Sequence, residues 1–260
     1  MGIITKVMTL CQGIIYLGIG TATLPLSVFA LILRGRPLDI LSKSKISEMN
    51  FTLIWRVIGK PAEGSEDQKR SRETVSQAHG VVLDLGPGTG ATLCHFDKPR
   101  ITKIYGVEPN LNFHPALRTA ITAAGLDDVY TIIPTGVENL EELKKYGIEE
   151  GSVDCIVACK VLCSVPEPKK TIGALYRILA PGGLMLVYEH VKAKSGFAVF
   201  VQDMANTVWP FLMAGCNIQR PTEAYLYGAG DWEEKDLKAA EGFTGDEFIT
   251  FTHGKLVKAK

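Results

Sequence analysis

The sequence predicts an α/β protein with a doubly wound, seven-stranded and mostly parallel sheet, preceded by helices and closed by an antiparallel hairpin. Two observations lead to this prediction. Short apolar runs alternate with helical stretches between about residues 80 and 190, and each run is apolar throughout rather than at every second position. Strands of this kind are buried on both faces, as in parallel sheets covered by helices. A chain of 260 residues can hold one such domain and an appendage.

The strands and helices of the predicted sheet follow one another in order along the chain. The strands are 80–85, 103–108, 128–133, 153–159 and 183–189, and the helices are about 90–97, 111–124, 138–146 and 168–179. Near the C-terminus, two further apolar runs at 247–253 and 255–260 are separated by Gly254. We expect these two runs to form the antiparallel hairpin, with its tight turn at Gly254, at the edge of the sheet.

Two segments precede the sheet. Residues 60–70 are polar and contain Pro and Gly, which is typical of a loop. Residues 37–59 carry an apolar stripe at helical spacing, formed by Leu38, Ile40, Leu41, Ile46, Met49, Leu53, Ile54 and Val57. We therefore divide the chain into an apolar N-terminal segment (1–36), a helical linker and substrate cap (37–78), and the main domain (79–260).

The N-terminal segment is strongly apolar. No charged residue lies between Val7 and Leu33, a length that can cross the core of a bilayer. Pro25 interrupts a regular helix, so one kinked span competes with two shorter helices that form a hairpin or lie in the membrane interface. In a third, soluble alternative these helices cap the active site. We predict membrane contact through residues 7–33. A secretory signal fits less well, because the apolar run continues to Arg34 without a clear cleavage site.

Charge and cysteine content exclude several classes of protein. Lys plus Arg and Asp plus Glu both number 28, so the chain lacks the positive field that nucleic-acid binding needs. Six cysteines in a chain of this length do not indicate a disulfide scaffold. Cys155, Cys159 and Cys163 recur at every fourth residue, but no histidine lies near them along the chain and no CxxC pair occurs. We therefore predict no nucleic-acid partner and no metal site, and we expect these cysteines to pack as small apolar residues.

The stretch VVLDLGPGTG (81–90) carries the strongest functional signal. An apolar strand ends near Asp84, and three glycines follow at every second position. Glycines leave the main chain open to a ligand, and ligands of doubly wound sheets bind beyond the carboxyl ends of the strands. The spacing is GxGxG rather than the dinucleotide fingerprint GxGxxG, and a carboxylate would repel a pyrophosphate. The pattern therefore favours S-adenosylmethionine, which has a sulfonium, an ammonium group and no phosphate, over a nicotinamide cofactor.

A second acidic residue supports this prediction. Glu108 ends the next strand and lies 22 residues after Gly86. A carboxylate at about that distance from the glycine loop accepts hydrogen bonds from ribose hydroxyls.

Five motifs between residues 80 and 191 resemble, in order, those of class I S-adenosylmethionine-dependent methyltransferases: DLGPGTG, GVEPN, TGVENL, GSVDCIVACKVLCSV and LAPGGLMLVYEH. The apolar N-terminus, VLCSV, PGG followed by EHV, and GCN (215–217) further resemble the membrane-anchored methyltransferase-like 7 family, which methylates alkyl thiols. This resemblance implies an enzyme that uses S-adenosylmethionine to methylate a small, apolar acceptor, with a thiol as the accepting group. It also implies an intracellular protein associated with the endoplasmic reticulum or lipid droplets, although a soluble cytoplasmic location stays open.

The resemblance assigns the methionine and ribose parts of the cofactor to the glycine loop. Glu108 would hold the ribose, and Cys159 would lie beside the methionine moiety through its backbone carbonyl. The residues that would line the cofactor around the loop are Asp84, Gly86, Pro87, Gly88 and Gly90.

The resemblance places the adenine ring beside two other loops. Pro109 and Asn110 would flank the ring, and Val137 and Glu138 would face its edge. Many relatives have Asp where this chain has Gly136, so that contact would move to Glu138.

The sequence offers one histidine as a general base. His190 follows the last parallel strand and would lie at the active-site edge of the sheet, although a purely structural histidine is the alternative. Glu189 is a second candidate. Residues 197–216 are apolar and aromatic and form either a wall of the substrate site or core. Two further functions stay open: O-, N- or C-methylation of a lipid-like or secondary metabolite, and a non-methylating reaction of a cofactor-binding protein with this fold.

Overall fold

The computed structural model describes residues 2–240 and 245–260. Its seven-stranded sheet has the order β3-β2-β1-β4-β5-β7-β6. The strands are β1 Gly80–Leu85, β2 Ile101–Val107, β3 Tyr130–Ile133, β4 Val153–Cys159, β5 Leu179–Val191, β6 Trp232–Ala239 and β7 Thr250–Lys258. Strands β1 to β5 pair in parallel, and β7 is antiparallel to both β5 and β6. The predicted doubly wound, mostly parallel sheet with antiparallel C-terminal strands is confirmed.

Helices surround this sheet. In chain order they are α1 Ile3–Ala22, α2 Leu24–Leu33, α3 Lys43–Ile58, α4 Glu66–Val75, α5 His114–Ala123, α6 Leu140–Lys144, α7 Pro168–Ile178, α8 Gly196–Asn206, α9 Trp209–Leu212 and α10 Thr222–Tyr227. Helices α5, α6 and α7 lie within the predicted helical ranges 111–124, 138–146 and 168–179.

The core lies on both faces of the sheet. Val82 packs in one hydrophobic cluster and its neighbour Leu83 packs in another, because successive side chains of a strand point to opposite faces. Val157 and Ala158 of β4 divide between the two clusters in the same way. Burial on both faces explains why the parallel strands are apolar throughout.

The predicted position of the C-terminal hairpin is wrong. Residues 250–258 form the single strand β7, which continues through Gly254, and its hairpin partner is β6, not 255–260. Gly254 has a φ of 141°, and a Cβ there would lie 1.8 Å from the carbonyl oxygen of Asp236 on β6. This glycine therefore permits a close approach of two strands rather than a turn.

The helix predicted at 90–97 is also wrong. Residues Leu93–His95 form one 3₁₀ turn, and a second turn at Lys98–Arg100 leads directly into β2. Leu93 and Phe96 are buried against the sheet, and Pro99 removes a backbone donor that a continuing helix would need.

The predicted apolar stripe at 37–59 is only partly buried. Met49 and Ile54 of α3 lie in the interior, whereas Leu38, Leu41 and Val57 are each at least 79% exposed. The segment begins as a short 3₁₀ helix, Pro37–Leu41, so one α-helical periodicity does not describe it.

Helices α1 and α2 form a helical stretch from Ile3 to Leu33 that is long and apolar enough to cross a membrane, with a mean hydropathy of 1.9 over its most apolar window. One side of α1 packs on the domain: Asn50 of α3 donates hydrogen bonds to the carbonyl oxygens of Gly20 and Leu212, at 3.0 and 3.1 Å. The other side is exposed and apolar, through Ile3, Ile4, Val7, Met8, Leu10, Ile14, Ile15 and Ile19.

Candidate active site

The glycine loop lies where the strand order reverses, between the carboxyl ends of β1 and β4. Gly86, Gly88 and Gly90 have φ angles of 56°, 57° and 80°, a conformation that other residues adopt at a cost. A Cβ on Gly86 would lie 2.6 Å from Val161 Cγ2, and a Cβ on Gly90 would lie 2.5 Å from Ala120 Cβ. The loop thus needs glycine for its backbone angles and for its close packing.

Glu108 fixes the loop from the neighbouring strand. Its Oε2 accepts a hydrogen bond from the backbone N–H of Gly88 at 2.9 Å, and its Oε1 accepts one from the N–H of Asn110 at 2.8 Å. Burial raises the pKa of Glu108 to about 7, and these two hydrogen bonds oppose the shift. Each oxygen retains a lone pair, so the carboxylate can still accept hydrogen bonds from a ligand's hydroxyls.

Asp84 is buried at the end of β1. Its Oδ2 accepts a hydrogen bond from the hydroxyl of Tyr130 at 2.8 Å. Burial raises the pKa of Asp84 to about 7, the Tyr130 bond opposes that shift, and the charge of Glu108 adds to it. Sequence patterns did not predict the role of Tyr130. In the structure its hydroxyl requires glycine at position 106, because a Cβ there would lie 2.2 Å from the hydroxyl oxygen.

These raised pKa values predict how stability depends on pH in the protein without cofactor. Between about pH 4 and pH 7, folded Asp84 and Glu108 keep protons that the unfolded chain has lost, so stability falls as pH rises through this window. We expect the free energy of unfolding of Asp84→Asn, measured from urea unfolding curves, to fall less between pH 5 and pH 8 than that of the unchanged protein. An equal decline in the variant would show that Asp84 is not the titrating group.

A matched control for this prediction is Asp128→Asn. The hydrogen bond from Lys98 lowers the pKa of this exposed carboxylate. The contribution of Asp128 to stability is therefore fully present above its unfolded pKa and is lost only at lower pH. The decline in stability between pH 5 and pH 8 should be the same in this variant as in the unchanged protein.

The adenine-side residues meet different environments. Pro109, Asn110 and Glu108 line a cavity of about 250 Å³ beside the glycine loop. Val137 is buried and packs in the core, and the side chain of Glu138 is exposed and folds back over Gly136. A Cβ on Gly136 would lie 2.3 Å from Glu138 Oε1. Glu138 thus occupies the space that a side chain at position 136 would need, and the adenine roles of Val137 and Glu138 stay predictions.

Cys159 lies on the other side of the glycine loop. It lines a smaller cavity, of about 30 Å³, together with Asp84, Gly86 and Pro87. Burial raises the pKa of the Cys159 thiol, which keeps it protonated at neutral pH. A neutral thiol at this position is a packing group rather than a nucleophile, and the place of Cys159 beside the methionine moiety stays a prediction.

Trp55 of α3 covers the glycine loop and was not found from the sequence. A Cβ on Gly88 would lie 3.0 Å from Trp55 Nε1. The indole lines both cavities that flank the loop and also a third cavity, of about 270 Å³. This third cavity, which we call the acceptor cavity, also receives aromatic side chains from α1, α3 and α9: Tyr16, Phe51 and Trp209.

The C-terminal part of segment 197–216 contributes both to the acceptor cavity and to the core. Trp209, Met213 and Cys216 line the cavity and also belong to a buried hydrophobic cluster, so a role as a wall of the substrate site stays a prediction. Gln12 and Tyr16 of α1 also line the cavity.

The polar end of the acceptor cavity contains His190 with two cysteines. His190 Nδ1 lies 3.7 Å from Cys216 Sγ, and the ligand atoms of Cys163, His190 and Cys216 lie within 4.8 Å of one another. The hydrogen bond between the two thiols raises the pKa of Cys163 and lowers that of Cys216. No sequence motif links these three residues, because 26 or more residues separate neighbouring members along the chain.

Glu189, the second candidate base, has a structural role. It is fully buried, and its Oε1 accepts hydrogen bonds from the backbone N–H groups of Val161 and Leu162, both at 2.8 Å. Burial also raises its pKa. The carboxyl group therefore holds the turn after β4 and does not face the acceptor cavity.

The chain is similar in sequence to known proteins. A family model described as a methyltransferase domain matches residues 65–227, more than half of the chain. The chain belongs to this methyltransferase family. The thiol S-methyltransferase TMT1B of Rattus norvegicus is 30% identical over 209 residues, which cover 77% of this methyltransferase and 79% of the rat protein. The thiol S-methyltransferase TMT1A of Homo sapiens is 31% identical over 140 residues, or 54% of each chain.

Solved structures support the fold of the methyltransferase. The [4+2]-cyclase SpnF superposes with a TM-score of 0.61 at 17% identity, covering 84% of this chain and 96% of the cyclase. The N-methyltransferase NodS from Bradyrhizobium japonicum WM9, solved with S-adenosyl-L-homocysteine, superposes with a TM-score of 0.54 at 14% identity, covering 84% of this chain and 100% of that chain. At these identities the likeness shows the fold alone, and the predicted class I methyltransferase fold is confirmed.

Proposed function

We propose that this methyltransferase transfers the methyl group of S-adenosylmethionine to the sulfur of a small, apolar thiol. The observation that carries the proposal is the acceptor cavity, an aromatic-walled space of about 270 Å³ that shares Trp55 and Lys160 with the two cavities flanking the glycine loop. Its lining fits an apolar molecule, and its polar end presents His190. The thiol S-methyltransferase relatives support a thiol as the accepting group.

The residues around the glycine loop fit S-adenosylmethionine. The loop is a cradle that Cβ atoms would fill, and two buried carboxyl groups with pKa values raised to about 7 face it. A cationic ligand favours their ionised forms, whereas a pyrophosphate would oppose them. Glu108 would accept the ribose hydroxyls, and Asp84 with the loop would hold the methionine end. The cofactor, when bound, supplies an electrophilic methyl group on a sulfonium.

The protein's own contribution is to position and deprotonate the acceptor. The aromatic walls would hold the acceptor's apolar body and position its sulfur for transfer. A free thiol is a few per cent thiolate at neutral pH, so modest activation suffices. His190, at the polar end of the cavity, is the side chain that would accept the thiol proton.

The test is a pair of acceptors that differ in one atom. Intact protein is incubated with methyl-labelled S-adenosylmethionine and either an alkanethiol or the alkanol of the same chain length, and the extracted product is analysed by mass spectrometry. We expect labelled methyl thioether from the thiol and at least about 100-fold less ether from the alcohol, because the alcohol needs full deprotonation. Faster methylation of the alcohol would contradict the thiol assignment. Binding of the cofactor without any methyl transfer would favour the non-methylating alternative.

We also propose that the exposed apolar side of α1 lies in a membrane interface. Ile14 and Ile15 are 61% and 57% exposed, while the inner side of the same helix covers the acceptor cavity. A helix with one side on the domain and one apolar side exposed fits a position along the membrane surface. An apolar acceptor could then enter from the lipid phase.

The membrane proposal predicts a loss of vesicle binding. We expect the double variant Ile14→Asp, Ile15→Asp to reduce flotation with phosphatidylcholine vesicles by at least about tenfold, because burying a charge in the interface is costly. Thr119→Asp, on the exposed side of α5, adds the same type of charge elsewhere and should float like the unchanged protein. Equal flotation of the double variant would refute the membrane role of this surface.

A further inference from the structure

The three residues at the polar end of the acceptor cavity form a set of metal-binding side chains. Cys163 comes from the turn after β4, His190 from the end of β5, and Cys216 from the segment after α9. Both cysteines are buried, at 2% and 5% exposure, and His190 is partly exposed in the cavity. The prediction of no metal site was based on neighbours along the chain, whereas the fold brings these three side chains together from distant segments.

The spacing of the three groups suits a tetrahedral ion. With Zn–S bonds of about 2.3 Å and Zn–N bonds of about 2.0 Å, tetrahedral ligands lie about 3.5 to 3.8 Å apart. His190 Nδ1 and Cys216 Sγ are 3.7 Å apart, and all three ligand atoms lie within 4.8 Å of one another.

The backbone that carries Cys163 is held in place. Glu189 accepts two backbone N–H groups of the turn, as described above. Arg220 Nη1 donates to the carbonyl oxygens of Leu162 and Val165, both at 2.6 Å. The backbone N–H of Asn217 donates to the carbonyl oxygen of Cys163 at 2.8 Å, which joins the segment of Cys216 to that of Cys163. A pre-arranged ligand set of this kind loses little entropy on metal binding.

We propose that Cys163, His190 and Cys216 bind one zinc ion whose fourth position faces the acceptor cavity, and that the acceptor thiol binds there as a thiolate. Two thiolates and one imidazole with an open fourth position form a known catalytic zinc arrangement. Two thiolates also balance the charge of the divalent ion. The second part of this proposal rests on the proposed function, and the first does not.

The chemistry balances without any other reactant. The acceptor thiol loses its proton to solvent as its sulfur binds the ion, in place of transfer to His190. That sulfur then forms a bond to the methyl carbon while the bond from this carbon to the sulfonium sulfur breaks, and the electron pair stays on the departing sulfur. The product is a neutral thioether, a weaker ligand than a thiolate, so it can leave the ion. A disulfide between the two cysteines would instead need an oxidant, and it would not explain the position of His190 beside them.

The experiment is a titration of the intact protein with Co²⁺, after treatment with a chelator and a reductant. We expect one equivalent to bind with thiolate-to-cobalt charge-transfer absorption and tetrahedral visible bands, and Zn²⁺ to displace it. Cys163→Ser and Cys216→Ser should each weaken binding at least about tenfold, in variants whose circular dichroism matches the unchanged protein. The matched control is Cys94→Ser, because Cys94 is an exposed cysteine whose Sγ lies 3.6 Å from His95 Nδ1.

The acceptor step has its own readout. Adding an alkanethiol to the cobalt protein, without S-adenosylmethionine, should shift the visible bands, and the matching alkanol should not. Absence of the charge-transfer band, or its loss in Cys94→Ser alone, would overturn the zinc assignment. If metal-free protein methylates the alkanethiol at full rate, the role of the zinc ion in binding the acceptor fails, and the proposed function stands. If cobalt binds but no thiol is methylated, the metal site stands and the proposed function fails.

Discussion

Replacing Glu108 by alanine is expected to raise the S-adenosylmethionine concentration needed for half-maximal methyl transfer by at least about 100-fold. The carboxylate accepts the backbone N–H groups of Gly88 and Asn110 and would also accept the ribose hydroxyls. Hydrogen bonds to a charged group contribute about 1.5 to 3 kcal/mol each, and about 1.4 kcal/mol corresponds to a tenfold change in affinity. Loss of two such bonds to the ribose hydroxyls therefore gives a change of at least about 100-fold. The measurement is the rate of methyl transfer over a range of cofactor concentrations.

Two further variants show whether this effect comes from the carboxylate. Glu108→Gln keeps one accepting oxygen and should give an intermediate loss. Glu141→Ala removes an exposed glutamate that pairs with Lys144 on α6 and should leave the cofactor dependence unchanged. A Glu108→Ala protein with the cofactor dependence of the unchanged protein would contradict the placement of the ribose at Glu108.

Replacing Gly90 by alanine is expected to lower the free energy of unfolding by about 3 kcal/mol. The left-handed backbone at φ 80° costs another residue about 1 to 2 kcal/mol. The new Cβ would also lie 2.5 Å from Ala120 Cβ and close to Leu117, and crowding a packed interior costs about 1 to 3 kcal/mol more. Urea unfolding curves of the two proteins measure the difference.

Gly125→Ala separates the two causes. Gly125 has a similar φ of 67°, but a Cβ there would meet no heavy atom of the described residues within 4 Å. The free energy of unfolding of this variant should fall by only about 1 to 2 kcal/mol, the cost of the left-handed backbone. Equal losses at Gly90 and Gly125 would show that the glycine loop does not need its close packing against α5.

The parts of the fold that the sequence predicted correctly depend on local patterns. Strands β1 and β4 coincide with the predicted ranges 80–85 and 153–159, because burial on both faces makes a parallel strand apolar throughout. The grouping of the predicted cofactor residues at one edge of the sheet could be anticipated for a related reason. Gly86, Gly88, Glu108 and Asn110 lie within two short motifs, and the carboxyl ends of adjacent parallel strands meet at one edge of the sheet.

The parts that the sequence did not predict depend on contacts between distant segments. Gly254 resembles a turn residue along the chain, but glycine is required there because β6 approaches β7 closely in space. Trp55 and Tyr130 reach the glycine loop from elements that carry no cofactor motif. The group of Cys163, His190 and Cys216 joins three loops, and no periodicity or spacing links them.

Calorimetric titration of the intact protein with S-adenosylmethionine tests the central claim most directly. The structure predicts saturable binding of one cofactor molecule at the glycine loop, and binding of S-adenosylhomocysteine at the same site. No heat of binding from folded protein with either ligand would contradict the assignment of this cleft to the cofactor, and the glycines at 86–90 would then be explained by loop packing alone.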